Sequence, residues 1–419
     1  MSKITKAPIF RMWSACLGNL FEHYDAALFG FLSCFLAPLF FPEKEPITAL
    51  ILVYAMIPLG MIARPIGALV FGYIGDRYGR GHALFLTLAG MAFVSGCLAI
   101  CPSFVQASMI APIVFCLGRI LQNFFAAGET IGGAIYLLES AEEKRHDLLS
   151  SLYNATTIGG ILLASFAVAI LVSLGLIGEG WRYLYLIGCV TALFGCVVRK
   201  KRFSVLQDQR IRKSELVDQI KILWMYRKVL VWIAVSSGFS YANYSVSLVL
   251  LNGFIPLVAK VSAAQMMELN TGLLVLDFCT LPFFGWLASR ISREKVMLIA
   301  SLVAVIGGIP LFQMLEGASL IGIVVIRTLF VLIGVAFTAP FHAWAQQLVP
   351  PEHRYSVLSF GYALGSQILG GPTALISLWL FKKTNLISSV SWYWMAIATA
   401  SSAVMASAFA IRKRNVLFR

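Results

Sequence analysis

Twelve apolar stretches recur between Met12 and Ile411, and they decide what environment this chain can fold in. They run over 12–37, 47–74, 83–101, 107–138, 148–175, 182–199, 229–258, 265–289, 295–313, 318–347, 356–380 and 390–411, and are called helices 1 to 12 below. A helix needs roughly 17 to 25 mostly apolar residues to cross the ~30 Å hydrocarbon core of a bilayer, and each stretch supplies them. Of the 419 residues, 59% are hydrophobic and 12% charged. An ordinary soluble domain carries roughly 25% charge, and a soluble core could not bury this much apolar surface. The expected class is an all-α membrane protein.

The net charge of +14 raises the question of nucleic acid, and its distribution answers it. With the N-terminus inside, the inner segments hold 25 of the 33 Lys and Arg, and the outer segments hold five: Lys44, Arg182, Lys260, Lys382 and Lys383. The other three, Arg64, Arg119 and Arg327, lie at membrane depth. This bias follows the positive-inside rule, predicts both termini in the cytoplasm, and accounts for the basic balance without a nucleic-acid partner. The basic first 11 residues lead into a run that contains Glu22 and Asp25 and no small-residue cleavage site, which reads as helix 1 and not as a signal peptide. All eight cysteines fall inside predicted helices, and the i, i+4 pair Cys97 and Cys101 reads as packing. No phosphate-binding G-x-x-x-x-G-K-[ST] and no H-x-x-x-H occurs, so neither an ATP-driven pump nor a metalloenzyme is expected, and no cofactor or metal is predicted.

The longest polar stretch divides the chain into an N-terminal six-helix half at 1–199, a basic cytoplasmic linker at 200–228 and a C-terminal six-helix half at 229–419. The linker reads either as an amphipathic helix on the anionic inner leaflet or as a solvated connector. An internal repeat supports the division. Gly72, Asp76, Arg77, Gly79 and Arg80 after helix 2 recur as Gly285, Ser289, Arg290, Ser292 and Arg293 after helix 8, an offset of 213. Arg145, Leu149 and Ser150 recur as Arg354, Leu358 and Ser359 at an offset of 209, and Arg119 recurs as Arg327 at 208. Three coincidences at nearly one offset indicate duplicated halves.

The segment Gly72-Tyr-Ile-Gly-Asp76-Arg77-Tyr-Gly79-Arg80 resembles the cytoplasmic loop signature of the major facilitator superfamily, whose fold is built from such halves. Gly18-Asn19-Leu-Phe-Glu22-His23-Tyr24-Asp25 with Phe29-Gly30, Ala63-Arg64-Pro65-Ile-Gly67, and Arg119-Ile-Leu-Gln122 with Gly128-Glu129 are similar to the metabolite:proton symporter family within it. That family includes bacterial proline/betaine, α-ketoglutarate, citrate and shikimate transporters. The resemblance is dense over helices 1 to 5 and thinner beyond, at Gly180-Trp181-Arg182, Arg354-Tyr355-Ser356 and Gly370-Gly371-Pro372. It implies twelve transmembrane helices in two pseudo-symmetric six-helix halves, a monomer in the bacterial cytoplasmic membrane, and transport instead of catalysis. The chain departs from the pattern at His23, Asn123 and Ala127, and at Gln347, where the family carries Glu. The last departure predicts a weakened charge network after helices 8 and 10. The family's osmosensors carry a long C-terminal coiled coil, and this chain ends at Arg419, so osmosensing by such a tail is not expected.

Ionisable groups at membrane depth carry the chemistry, because each costs roughly 2.5–3.5 kcal/mol on insertion scales and must have a partner, a wet cavity or a task. They are Glu22, Asp25, Glu129 and Asp277 against Arg64, Arg119 and Arg327, with His23 and His342 able to take either state. Glu22 and Asp25 project from one face of helix 1, and on helix 4 Arg119, Gln122, Ala126, Glu129 and Gly133 share an arc of about 80°. Arg119 and Glu129, about 15 Å apart along the axis, cannot pair and can serve different steps. Proton coupling is assigned to Asp25, Glu22 and Glu129. Substrate binding is assigned to Arg64, Arg119, Tyr24, Gln122, Tyr241, Asn243, His342 and Trp344, with Tyr244, Thr338 and Phe341 as further aromatic or polar lining suited to a quaternary ammonium. A cytoplasmic latch is assigned to Gly72, Asp76, Arg77, Arg80, Arg290 and Arg293. The competing assignments are structural: the arginines neutralise buried acids, Gly67 and Gly72 allow close packing, and the aromatic residues pack or anchor at the interface. A small polar metabolite and a proton are the expected ligands, a zwitterion such as proline or betaine first, an organic acid second, with a receptor that does not transport as a third reading.

Overall fold

A computed structural model describes residues 6–41, 46–203, 216–259 and 261–417. Lys44, Lys260 and the middle of the linker at 204–215 lie outside the described residues. Among the described residues the structure is helical throughout and has no strand. Among the described residues nine helices are long and apolar enough to span a membrane, and a bent pair beginning at Gln219 makes ten. They coincide with predicted helices 3 to 12, and helices 1 and 2 form at Lys6–Phe40 and Pro46–Tyr78.

The apolar surface points both ways, as a bilayer protein requires. Phe93, Ile306 and Ile321 are 68%, 76% and 77% exposed, a liability in water and an ordinary lipid-facing surface in a membrane. Inward, small and aromatic residues interlock. Phe40 packs against Phe115 with ring centres 4.4 Å apart and tilted planes, and Trp181 belongs to the same cluster.

The chain forms two compact units. The first comprises 1–140, 156–223 and 351–360, and the second 141–155, 224–350 and 361–419. Each unit therefore takes a short segment from the other half of the sequence. Within the first, a Cβ on Gly72 would lie 2.8 Å from Ser356 Cα, and a Cβ on Gly67 would strike the Phe124 carbonyl, so glycine is required where these backbones meet.

Among the described residues three spans are interrupted. Helix 7 runs Arg227–Tyr244, then a π segment Ser245–Leu250, then Leu251–Val258. Helix 10 breaks at Ala339 and Pro340 between Leu320–Thr338 and Phe341–Gln347, where proline lacks the amide that would continue the ladder. Helix 11 holds a second π segment at Gly365–Gly370 between Arg354–Leu364 and Thr373–Thr384. Such segments leave backbone groups for other partners and recur at functional sites.

Candidate functional site

The first unit gathers most of the predicted polar residues at the contact of helices 1, 2, 3, 4 and 6. Glu22 is fully buried. Arg64 Nη2 donates to its Oε1 at 2.8 Å and Thr130 Oγ1 to its Oε2 at 3.0 Å. His23 Nδ1 stands 3.2 Å from the same carboxylate and 2.9 Å from the Asn19 carbonyl. One turn on, Asp25 is held differently. Its Oδ2 accepts from the Ser95 hydroxyl and from the Gln122 amide, while Oδ1 has no hydrogen-bond partner among the described residues.

Gln122 is the joint of this arrangement. Its carbonyl oxygen accepts from Arg119 while its amide nitrogen donates to Asp25, so acid and guanidinium communicate through a neutral side chain. Arg119 lies 4.3 Å from the centre of the Phe29 ring and faces the Tyr185 hydroxyl, which keeps its charge in a partly polar pocket. All five residues of the helix 4 stripe are buried. Glu129 is placed apart from this relay, with Thr87 Oγ1 of helix 3 donating to it at 3.1 Å. Tyr24 belongs to the packed interior, with its hydroxyl on the Leu184 carbonyl at 3.3 Å.

Sequence reasoning did not single out Thr87, Ser95, Thr130 and Tyr185. Each is a hydroxyl inside an apolar span, and that is the signal that could have found them.

In the second unit the predicted residues do other things. Asn243 donates to the Phe330 carbonyl at 3.0 Å, pinning helix 7 to helix 10. His342 Nε2 lies 3.1 Å from Asn154 Oδ1, with the Tyr153 ring edge-on at 5.5 Å. Trp344 is 1% exposed and sits in the core. Tyr241 and Tyr244 are half-buried, their ring centres 6.1 Å apart. Arg327 does not meet Asp277. Its donors go to the Asn270 side chain at 2.6 Å, the Ser247 carbonyl at 3.0 Å, and Asn252 and the Met266 carbonyl at 3.4 Å.

The repeated loop motif builds a joint in each unit. In the first, Asp76 accepts from the backbone amides of Tyr355 and Ser356 at 3.2 and 2.9 Å and from the Ser356 hydroxyl at 2.6 Å, capping the start of helix 11. Asp76 lies just beyond the predicted span of helix 2, and burial pushes its carboxyl up to about 6 against the opposing effect of these hydrogen bonds. Arg80 and Arg354 share Glu139, and Arg80 also donates to the Pro351 carbonyl at 2.6 Å. Arg77 instead bonds the Tyr73 hydroxyl and lies over the Tyr78 ring.

The second unit keeps a joint despite Gln347. Asp147 receives Arg293 through both oxygens, at 2.9 and 3.0 Å, and Arg293 also donates to the Ala343 carbonyl at 3.0 Å. The acid that position 347 lacks comes from the start of helix 5, so the expected weakening does not occur by loss of the ion pair. Gln347 donates to Glu143 at 3.2 Å, and Arg290 lies outside the joint, over the Trp286 ring at 5.8 Å.

Comparison with known proteins agrees with this architecture. The sequence model of the Major Facilitator Superfamily matches residues 26–262. A protein of Staphylococcus aureus (strain COL), provisionally named a proline/betaine transporter, is 29% identical over 400 residues, covering 91% of this chain and 84% of its own length. The citrate-proton symporter of Klebsiella pneumoniae is 28% identical over 413 residues, covering 95% of this chain and 91% of its own. The structure of the proton:xylose symporter XylE bound to 6-bromo-6-deoxy-D-glucose superposes with a TM-score of 0.72 at 18% identity over 96% of each chain, a likeness of fold. A match over more than half the sequence, a shared twelve-helix fold and relatives that are transporters make the chain a member of the major facilitator superfamily, a multi-pass membrane transporter and not an enzyme.

Proposed function

We propose that this transporter is a proton-coupled symporter that imports a small zwitterion such as proline or betaine by alternating access. The observation that carries the reading is the buried relay from Arg119 through Gln122 to Asp25. A proton taken by Asp25 removes a negative charge from hydrocarbon depth and loosens the relay. Arg119 is then free to turn toward a substrate carboxylate, and the proton and substrate load together. Arg64 stays committed to Glu22 and serves the same pocket as a second positive wall. Two guanidiniums near one another also support the organic-acid reading, and the citrate-proton relative points the same way.

The protein works in the bacterial cytoplasmic membrane as a monomer with both termini inside, its halves 1–199 and 229–419 joined by the linker. The Asp76 cap and the Arg80–Glu139–Arg354 cluster act as the latch that breaks and remakes in each cycle. Asp76→Asn is expected to slow turnover about ten-fold, the equivalent of ~1.4 kcal/mol on the rate-limiting step, because an uncharged cap holds the amides of helix 11 less firmly. Substrate affinity should stay within about two-fold, a difference of a few tenths of a kcal/mol. A changed affinity at normal turnover would move Asp76 into the binding site.

Uptake into proteoliposomes tests the function. With an inside-alkaline gradient, labelled proline and glycine betaine should accumulate and a protonophore should release them. Accumulation of α-ketoglutarate alone would establish the organic-acid reading. Saturable binding without uptake of any of the three would make the protein a receptor.

A further inference from the structure

A carboxylate in the second unit has no use in the scheme above. Asp277 lies in the middle of helix 8, Ala263–Arg290, and among the described residues no cation stands within ion-pair distance of it. At 100° per residue, Met266, Asn270 and Asp277 fall within about 40° of one another on that helix. The face they share is the inner one. Met266 and Asn270 both touch Arg327, which is 0% exposed, and Leu274 and Leu281 beside Asp277 are 3% and 1% exposed. Asp277 therefore points inward and not to lipid, yet it remains partly accessible.

The obvious partner is taken. Arg327 gives both its Nη groups to carbonyl and amide oxygens from helices 7 and 8, about 10 Å further along the helix axis from Asp277, while its Nε has no hydrogen-bond partner among the described residues. A cation solvated by dipoles and an anion left without a cation is the reverse of what a purely structural pair would give. Across from Asp277 stands helix 7: Arg327 joins the two antiparallel helices by bonding Ser247 of one and Asn270 of the other, and from that level Tyr244 and Tyr241 lie about 4.5 and 9 Å along helix 7 in the direction of Asp277. Tyr241, one turn earlier, pairs with Tyr244 at 6.1 Å and 50° between ring planes, so helix 7 offers two half-buried π faces toward the depth of this carboxylate.

The geometry points to a binding site for an organic cation, an ammonium or methylated ammonium group, formed by the Asp277 carboxylate and the faces of Tyr244 and Tyr241. A carboxylate supplies the counter-charge, and aromatic faces attract a weakly hydrated alkylammonium within about 6 Å of the ring centre. A proton needs no aromatic wall, and that asymmetry favours the organic cation. The inference rests on the zwitterion reading only in identifying the cation as the positive pole of the transported substrate.

The test is calorimetric titration of the full-length protein in detergent with tetramethylammonium chloride and with glycine betaine, at constant ionic strength. Wild type should bind both, and Asp277→Asn should bind each at least about ten-fold more weakly, as expected for loss of a desolvated counter-charge. Tyr244→Ala, which retains the carboxylate, should weaken both by about five-fold or more on loss of a cation–π contact. If the Asn variant does not fold, the Tyr244 variant decides, and its unchanged affinity would overturn the site. Undiminished binding by Asp277→Asn overturns the proposal too, even if proton-driven accumulation is lost, since Asp277 would then be a proton site. Wild type that binds neither compound overturns it as well. Wild type that binds tetramethylammonium through Asp277 but neither binds nor transports zwitterions leaves the cation site standing and refutes the zwitterion symport.

Discussion

Asp25→Asn is expected to abolish accumulation driven by a pH gradient while leaving substrate binding and counterflow. A one-to-one proton symporter under a gradient of one pH unit can concentrate substrate up to about ten-fold, since one unit is worth ~1.36 kcal/mol. The variant should stop at equal concentrations inside and out. Three features select Asp25 from the two acids of helix 1. Glu22 has a guanidinium at 2.8 Å, whereas Asp25 is held by the neutral Ser95 and Gln122. One Asp25 oxygen has no partner among the described residues and can take a proton without breaking a bond. An amide of the same shape keeps an oxygen for Ser95 and so mimics the protonated acid. A merely structural Asp25 predicts something else: poor folding, or no binding at all. Counterflow measured beside gradient-driven uptake separates the two, and full accumulation by the variant would pass the coupling role to Glu22 or Glu129.

Arg64→Met should produce the largest loss of stability in the first unit. Removing one partner of a buried ion pair costs about 3–5 kcal/mol, because the other charge is left without compensation. Glu22 would retain Thr130 and the neighbouring His23. Adding Glu22→Gln removes the orphaned charge, and the amide oxygen can still accept from Thr130. The double variant should therefore recover most of the loss, seen as the midpoint of thermal unfolding in detergent. Equal midpoints for the single and double variants would show that the 2.8 Å contact contributes no coupling.

The spans were legible in the sequence because hydropathy is a sum over many residues and tolerates local error. So was the helix 4 stripe, where a 3.6-residue period places Arg119, Gln122 and Glu129 on one face and the structure buries all three. What each polar residue touches was not legible. The spacing of Glu22 and Asp25 shows that they share a face, but only packing shows that one meets Arg64 and the other Gln122. The π segment in helix 7 was invisible for a related reason: no local breaker marks it, and its Ser247 carbonyl is given to Arg327, whereas the one in helix 11 coincides with Gly365 and Gly370-Gly371-Pro372. Position 347 is the instructive case. Its Gln signalled a missing acid, and the acid arrives from Asp147, a residue about 200 positions away that no local pattern links to Arg293.

The cap on Asp76 also has a consequence in time. Its partner Ser356 lies 280 residues further along the chain. At about 5–20 residues per second of synthesis, the ribosome reaches Ser356 roughly 15 to 55 s after it has made Asp76. Throughout that interval a buried-type carboxylate is already emplaced at the end of helix 2 with no helix start to receive it. The first unit is thus unfinished until nearly the whole polypeptide has been inserted, and its assembly is set by the schedule of translation and membrane insertion as much as by the stability of its own helices.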